Sequence, residues 1–335
     1  MIRICLSVLL SVFLMFSGGS AVLAQCEGRD LLAGLGAEKA AALEAATAAQ
    51  PFAAGNLWQA TRGDQRLTIL GTYHLADPRH AATMDRVAPM IDAAATVLVE
   101  AGPEEERLLM KAMAERPDLL FLSEGGSLIE RLPAEDWAMI SAAMQARGLP
   151  SIMAARMQPW YLSMMLAMPP CAMGEMTARN GLDQLVMDRA KGNDTPVRAL
   201  EPYDTIFGLF ATMSFEDQME MIRATLAYDA QGMAEDIQET LLQAYFRGEA
   251  RRMWEFLRIE SATLPGYDAA RADAEFAQFE EVLMNARNRA WIPVIEAAAV
   301  EGPVFVAFGA LHLAGREGVL NLLEQAGYTV EQLPL

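Results

Sequence analysis

Two short stretches of this chain, ILGTYHLAD at residues 69–77 and VAFGALHLAG at residues 306–315, follow one pattern: an apolar run, Gly, two residues, His, Leu and Ala. A short apolar run that is continuous rather than alternating is the mark of a strand buried on both faces, the kind found where helices cover a sheet. The two copies stand 238 positions apart (312 − 74). Two such strands within one chain constrain it to an α/β architecture, and they also constrain where its chemistry can lie. The chain has only three histidines, and two of them, His74 and His312, occupy the same frame.

The other elements fall around these two. In NLWQATRGDQRLTILG, residues 56–71, two alternating runs flank Gly63-Asp64 and predict a hairpin whose second strand runs into His74. Asp77-Pro78 predicts a helix start, with Asp as N-cap and Pro in the first turn, for a helix to about Ala94. ATVLVEAG, residues 95–102, reads as another buried strand ending in Glu100, and TPVRALEP, residues 195–202, as a third candidate ending in Glu201. A helix is expected over about Leu31–Ala49. Pro103 and three glutamates open a helical region to about Ala190, and a second runs from Asp204 to Ala299. GPVFVAFGALH then leads into His312, and a helix near Arg316–Gln325 and a strand near YTVEQL close the chain. No low-complexity or Ser/Pro-rich linker divides it. The expected fold is a single α/β domain over residues 25–335, with a central mixed, largely parallel sheet and a large helical insertion.

Four inferred strands thus end, at their carboxyl side, in His74, Glu100, Glu201 and His312. Ligands of parallel sheets gather beyond those ends. Two imidazoles and two carboxylates there would balance a divalent cation, with His74, His312 and Glu100 as ligands, and leave room for an activated water. The same residues also suit a metal-free mechanism in which a carboxylate orients a histidine that activates water. The third histidine, His80, in the first turn of a helix, reads as a surface residue. The chain contains no H-E-x-x-H, G-x-S-x-G, P-loop or C-x-x-C pattern.

The N-terminus has one Arg at position 3, an apolar run over 4–16, and Val22-Leu23-Ala24, which together predict a secretory signal peptide spanning residues 1–24. The expected location is therefore periplasmic or secreted, with no membrane anchor left after cleavage. Cys26 and Cys171 would remain, an even pair in an oxidising compartment, and a disulfide between them is expected. The net charge of −18 at pH 7 repels phosphate backbones and argues against nucleic acid as a partner. The 22 methionines read as core filler rather than as a copper site.

At these residues the sequence resembles the TraB/GumN family, which includes pheromone-shutdown proteins and Tiki-type membrane metalloproteases. The resemblance rests on Gly71 to His74 and Gly309 to His312, on Glu100 in VLVEAG, and on Gly181-Leu182-Asp183 in NGLDQLV. Glu201 in ALEP, Arg287-Asn288 in NARNRAW and the closing GALHLAGREGVLNLLEQAGYTV add to it, so that it covers about residues 55–333. It implies an exported hydrolase acting on a peptide or small-molecule substrate, in the Tiki branch a Mn- or Co-dependent peptidase, with Zn or Fe as other candidate ions. Glu100, Glu201, Arg287, Asn288 and Asp183 would be its catalytic set. It also implies two alternatives: a metal-independent His/Glu hydrolase of the erythromycin-esterase type, and a non-catalytic protein binding haem or another ligand, with Tyr73 or a His as axial group. The Tiki-type C-terminal membrane segment has no counterpart in this sequence.

Overall fold

The computed structural model describes residues 26–177, 181–263 and 268–335, and the side chains of all these except 174–177. The expected signal peptide, residues 1–24, lies outside the described residues. One six-stranded sheet organises the chain: β1 (Leu57–Arg62), β2 (Gln65–Thr72), β3 (Thr96–Val99), β4 (Val197–Ala199), β5 (Val304–Gly309) and β6 (Thr329–Gln332), in the order β4-β3-β5-β2-β1-β6. The four strands β4, β3, β5 and β2 run parallel, while β1 is antiparallel to β2 and to β6. The fold is the mixed, largely parallel α/β sheet expected from the sequence.

The two G-x-x-H frames lie side by side. β2 and β5 are neighbours, with Gly71 opposite Phe308 and Thr72 opposite Gly309. β5 and β2 are the two middle strands of the sheet, and in β5 Val304, Phe305, Val306, Ala307 and Phe308 are all buried. Removing the aliphatic and aromatic surface of such a strand from water is worth about 1.5–3 kcal/mol per large side chain, enough to fix it between helical layers. Gly71 is required by this approach, because a Cβ there would stand 2.5 Å from the Leu313 side chain and 3.0 Å from the Ala310 backbone.

The hairpin turn falls at Gly63, whose φ of 58° is the left-handed conformation glycine adopts without strain. Two starts differ from expectation. The first helical segment divides into a short turn at Leu31–Gly34 and a helix over Ala37–Ala48, because Gly34 and Gly36 interrupt it. The helix expected from Asp77 begins at His80. Asp77 instead accepts the Arg79 N–H at 2.8 Å and holds the Arg79 guanidinium, which caps the turn that precedes the helix.

Most helices sit in the two long crossovers, Pro103–Gly192 between β3 and β4 and Thr205–Glu301 between β4 and β5. They have apolar cores of their own. One is built from residues such as Leu128, Ile140, Met144, Leu162, Met219 and Ile222, another from Trp160, Phe210 and Met213. The buried methionines here support the reading of Met as core filler. Among the described residues no helix is long and apolar enough to cross a membrane.

Cys26 and Cys171 form a disulfide across 145 positions. It ties the N-terminal segment, which is also pinned by Arg29 on Asp236 and by Leu31 on Thr240, to the segment leading toward helix Leu182–Gly192. Closing so long a loop removes about 4–5 kcal/mol of chain entropy from the unfolded state. Cys171→Ser should therefore lower the unfolding free energy by up to about 4 kcal/mol in denaturant titrations, and a denatured, unreduced chain of residues 25–335 should titrate no free thiol. Two free thiols, or an unchanged midpoint, would show that the bridge does not hold the protein together.

Candidate functional site

The carboxyl ends of the four parallel strands converge as the sequence suggested. Each functional side chain leaves a strand within three residues of its end: His74 after β2, Glu100 after β3, Glu201 after β4 and His312 after β5. They meet helix Ala286–Glu301, which brings Arg287 and Asn288 in from the second crossover. A wide π turn, Glu281–Asn285, precedes that helix, an irregularity that recurs at functional sites.

Arg287 is the hub. Its Nε donates to Glu201 Oε2 at 2.8 Å and its Nη2 donates to Glu201 Oε1 at 2.7 Å and Glu100 Oε2 at 2.8 Å. Nη1 donates to the Leu283 carbonyl at 3.0 Å and lies 3.3 Å from His312 Nε2. One planar cation thus joins two strand ends through its fixed fork of donors. Burial disfavours the guanidinium charge, but the bonds to Glu201 and the charge of Glu100 outweigh it and raise the pKa further. Glu201 also accepts the indole N–H of Trp291 at 2.9 Å, so both its oxygens are committed. Trp291 is a contributor that sequence reading missed. The available signal was its spacing, one helical turn after Arg287, which places both on one face.

The histidines are held in opposite ways. His312 is buried, and its Nδ1 lies 2.6 Å from Asn288 Oδ1. Because Asn288 spends its N–H on the Glu317 carbonyl at 2.8 Å, its oxygen faces the ring and accepts. His312 therefore carries its hydrogen on Nδ1 and presents the Nε2 lone pair to the site. Burial chiefly lowers its pKa, to about 4, with Glu100 opposing and Arg287 and His74 reinforcing the shift. This imidazole is neutral near pH 7.

His74 sits on the open side, with its side chain 64 % exposed and Nδ1 2.7 Å from Asp183 Oδ2. The charge of Asp183 is the main cause that raises its pKa, to about 9, against some desolvation. Asp183 is itself fixed by the Thr72 hydroxyl at 2.5 Å, from two residues before His74. Helix Leu182–Gly192 brings it there by docking on the frame: Leu182 N–H donates to the Tyr73 carbonyl at 3.0 Å, and a Cβ at Gly181 would stand 2.0 Å from the His74 carbonyl oxygen. Only glycine permits that approach.

Glu100 lies between the two rings. Its Oε1 accepts the Gly309 N–H at 2.6 Å and stands 3.9 Å from His312 Nε2. A Cβ on Gly309 would be 3.3 Å from that oxygen and 3.4 Å from His74 Nε2, so the second frame's glycine leaves open the space where the groups face one another. Burial pushes the Glu100 carboxyl up, but His312, charged at the acid pH where this carboxyl titrates, together with the charges of His74 and Arg287 and the Gly309 bond, holds it at about 2. A cavity of about 320 Å3 opens from this point, walled on its far side by Leu241, Tyr245, Met253, Trp254, Leu283 and Met284.

As placed, these donors do not form a cage for an ion. Among the described residues no group of three or more His, Cys, Asp or Glu side chains is positioned to hold a metal. The cause is local: Arg287 occupies Glu201 entirely and one oxygen of Glu100, and Asp183 is spent on His74 and Thr72.

His80 corrects the reading from sequence. It is 1 % exposed, not a surface residue, and packs among Tyr245, Phe246 and Tyr73. The helix turns it inward because the chain arrives through the Asp77-Arg79 turn rather than from a cap at Asp77.

An α/β sheet whose parallel strands end in two histidines and two glutamates, with both glutamates and one histidine on a single arginine, defines a compact class of site. The model of the TraB/PrgY/gumN family matches residues 56–332, and the chain belongs to that family. No curated protein matches it.

Two measurements test the site's architecture. Arg287→Ala leaves two largely buried carboxylates without their cation, and should cost about 3–5 kcal/mol in denaturant unfolding. A loss below about 1 kcal/mol would mark the pair as solvent-screened instead. Asp183→Asn should drop the His74 pKa from about 9 toward 6.5, read by NMR titration of the three imidazoles. Because folding raises this pKa, the Asp183 contribution to stability is complete below pH 6.5 and fades as pH rises toward about 9, and the Asn variant should lack that dependence. A His74 pKa unmoved by the substitution would refute the pairing.

Proposed function

We propose that this protein is an exported hydrolase that works by general acid and base catalysis on a peptide or small-molecule carbonyl substrate. The observation that carries this reading is the opposite protonation of two imidazoles on either side of one carboxylate. His74 is pushed up to about 9 and His312 down to about 4, and pairs of groups driven apart in this way divide the acid and base roles.

The Glu100–His312 pair is the base. Its Oε1 and Nε2, 3.9 Å apart, can share one water between them. That water attacks the substrate carbonyl and gives its proton to the pair, which titrates as a unit. His74, as imidazolium, stabilises the developing oxyanion and gives its Nε2 proton to the leaving group, while Asp183 holds the ring. Arg287 keeps Glu100 ionised and aimed. The apolar far wall of the cavity suits a substrate with an apolar group beside the scissile bond. The disulfide and the expected signal peptide support a periplasmic or secreted location.

A second reading, a divalent ion with Mn or Co foremost, is favoured by one feature. Both rings have Nδ1 held by an oxygen, the way oxygens orient metal-binding histidines, and this leaves Nε2 of His74 beside the open space at Gly309 and Nε2 of His312 3.9 Å from Glu100 Oε1. His74, His312 and Glu100 would hold the ion, which when bound would supply a more acidic water. Arg287 would have to release Glu100 to make room.

The test is hydrolysis of a panel of fluorogenic peptides and esters by the purified mature protein. kcat/KM should follow a bell with limbs near pH 4 and pH 9, the values of His312 and His74. His74→Gln and His312→Gln should each lower it by about 100-fold or more in folded protein. Activity should survive exhaustive chelation. Loss on chelation with recovery in Mn2+ or Co2+ would favour the second reading, and full activity in both Gln variants would sink the first as well.

A further inference from the structure

We propose that His80 is a positioning residue for His74, acting through the Leu75 carbonyl. The inference rests on the reading of His74 as the acid, and concerns what holds that ring in place. Beyond β2 the backbone from Tyr73 to Ala76 leaves the sheet, and the segment that bears His74 must find other partners for its carbonyls. Two groups supply them: the Leu182 N–H donates to the Tyr73 carbonyl at 3.0 Å, and His80 Nε2 donates to the Leu75 carbonyl at 2.9 Å. Just before it, at the end of β2, the Tyr245 hydroxyl donates to the Gly71 carbonyl at 3.1 Å.

The tautomer of His80 follows from its surroundings. A carbonyl only accepts, so Nε2 carries a hydrogen, and Nδ1 is buried with no hydrogen-bond partner among the described residues. A leucine or phenylalanine would fill this space without that unpartnered ring nitrogen, and leaving a buried polar group unpaired costs about 1–3 kcal/mol. The histidine contributes one thing that those residues lack, a rigid N–H aimed at the residue next to His74. The ring is clamped for the task by Phe246 at 5.4 Å, Tyr245 at 6.1 Å and Tyr73 at 6.4 Å between centroids. Tyr245 thus serves twice, bracing the ring and holding the Gly71 carbonyl. Its own carbonyl accepts from Asn56 Nδ2 at 2.6 Å, which locks it to the start of the hairpin.

The consequence is that the His74–Asp183 geometry depends on a donor the sheet does not provide. Two variants separate a donor role from simple space filling. The amide of His80→Gln can still reach the Leu75 carbonyl, whereas the ring of His80→Phe fills the space and donates nothing. In folded variants, checked by circular dichroism, the His74 titration is followed by NMR, where two imidazole signals remain and no substrate is needed. The Gln variant should keep the wild-type His74 pKa, and the Phe variant should lower it by about one pH unit or more. The alkaline limb of any hydrolytic activity should move with it, chiefly through kcat rather than KM. A Phe variant with the wild-type value, or a Gln variant with a lowered one, overturns the proposal. Because the titration reads ring position rather than turnover, it gives its answer whether or not the hydrolase reading holds. If the Phe variant does not fold, the Gln variant still decides, since a space-filling role predicts that it loses the wild-type titration.

Discussion

A single guanidinium holds the site together. Arg287 reaches the ends of β3 and β4 at once, through Glu100 and Glu201, and it also touches the ring of the histidine that follows β5. The sheet sets these strand ends a few ångströms apart, and the like charges of two carboxylates there would drive them further apart. The cation reverses that repulsion. It also binds the helix of the second crossover to the sheet, so that the long excursion through Thr205–Glu301 returns in one register. Such a cluster adds little net stability beyond an apolar replacement, but breaking it leaves charges buried, and this is what makes the arrangement specific.

Around that hub the two histidines are made different although their sequence frames are the same. His312 follows β5, lies under Trp291 at 4.5 Å between ring centroids, and meets a neutral amide. His74 follows the neighbouring strand β2, opens to solvent, and meets a carboxylate. Desolvation wins at the first and Coulomb attraction at the second. One shared frame thus yields a neutral ring and a charged one, and the difference follows from what packs against each ring.

The glycines of the frames act as spacers at the same place. Gly71 admits the backbone after β5, Gly309 leaves room between Glu100 and His74, and Gly181 lets a helix rest its first turn on the His74 carbonyl. At Gly181 the two backbones come closer than any side chain allows. The cavity beyond the strand ends is walled on its far side by helices of the second crossover.

The strands, the hairpin at Gly63, the seven candidate residues and the cysteine pair were legible in the sequence, because strand period, turn chemistry and motif spacing are carried by neighbours in the chain. The pairing among those residues was not. That Glu201 serves Arg287 and Trp291, that Asp183 serves His74 and Thr72, and that His80 turns inward depend on contacts across tens to hundreds of positions. The pKa values of His74 and His312 were equally out of reach, since burial and partner charge are set by the registers of β2 and β5 and by the docking of two helices upon them. Sequence determined which side chains arrive at the carboxyl ends of the strands. Only the tertiary structure decided which of them meet and which carry a proton, because desolvation and Coulomb energies depend on distance in space, not along the chain.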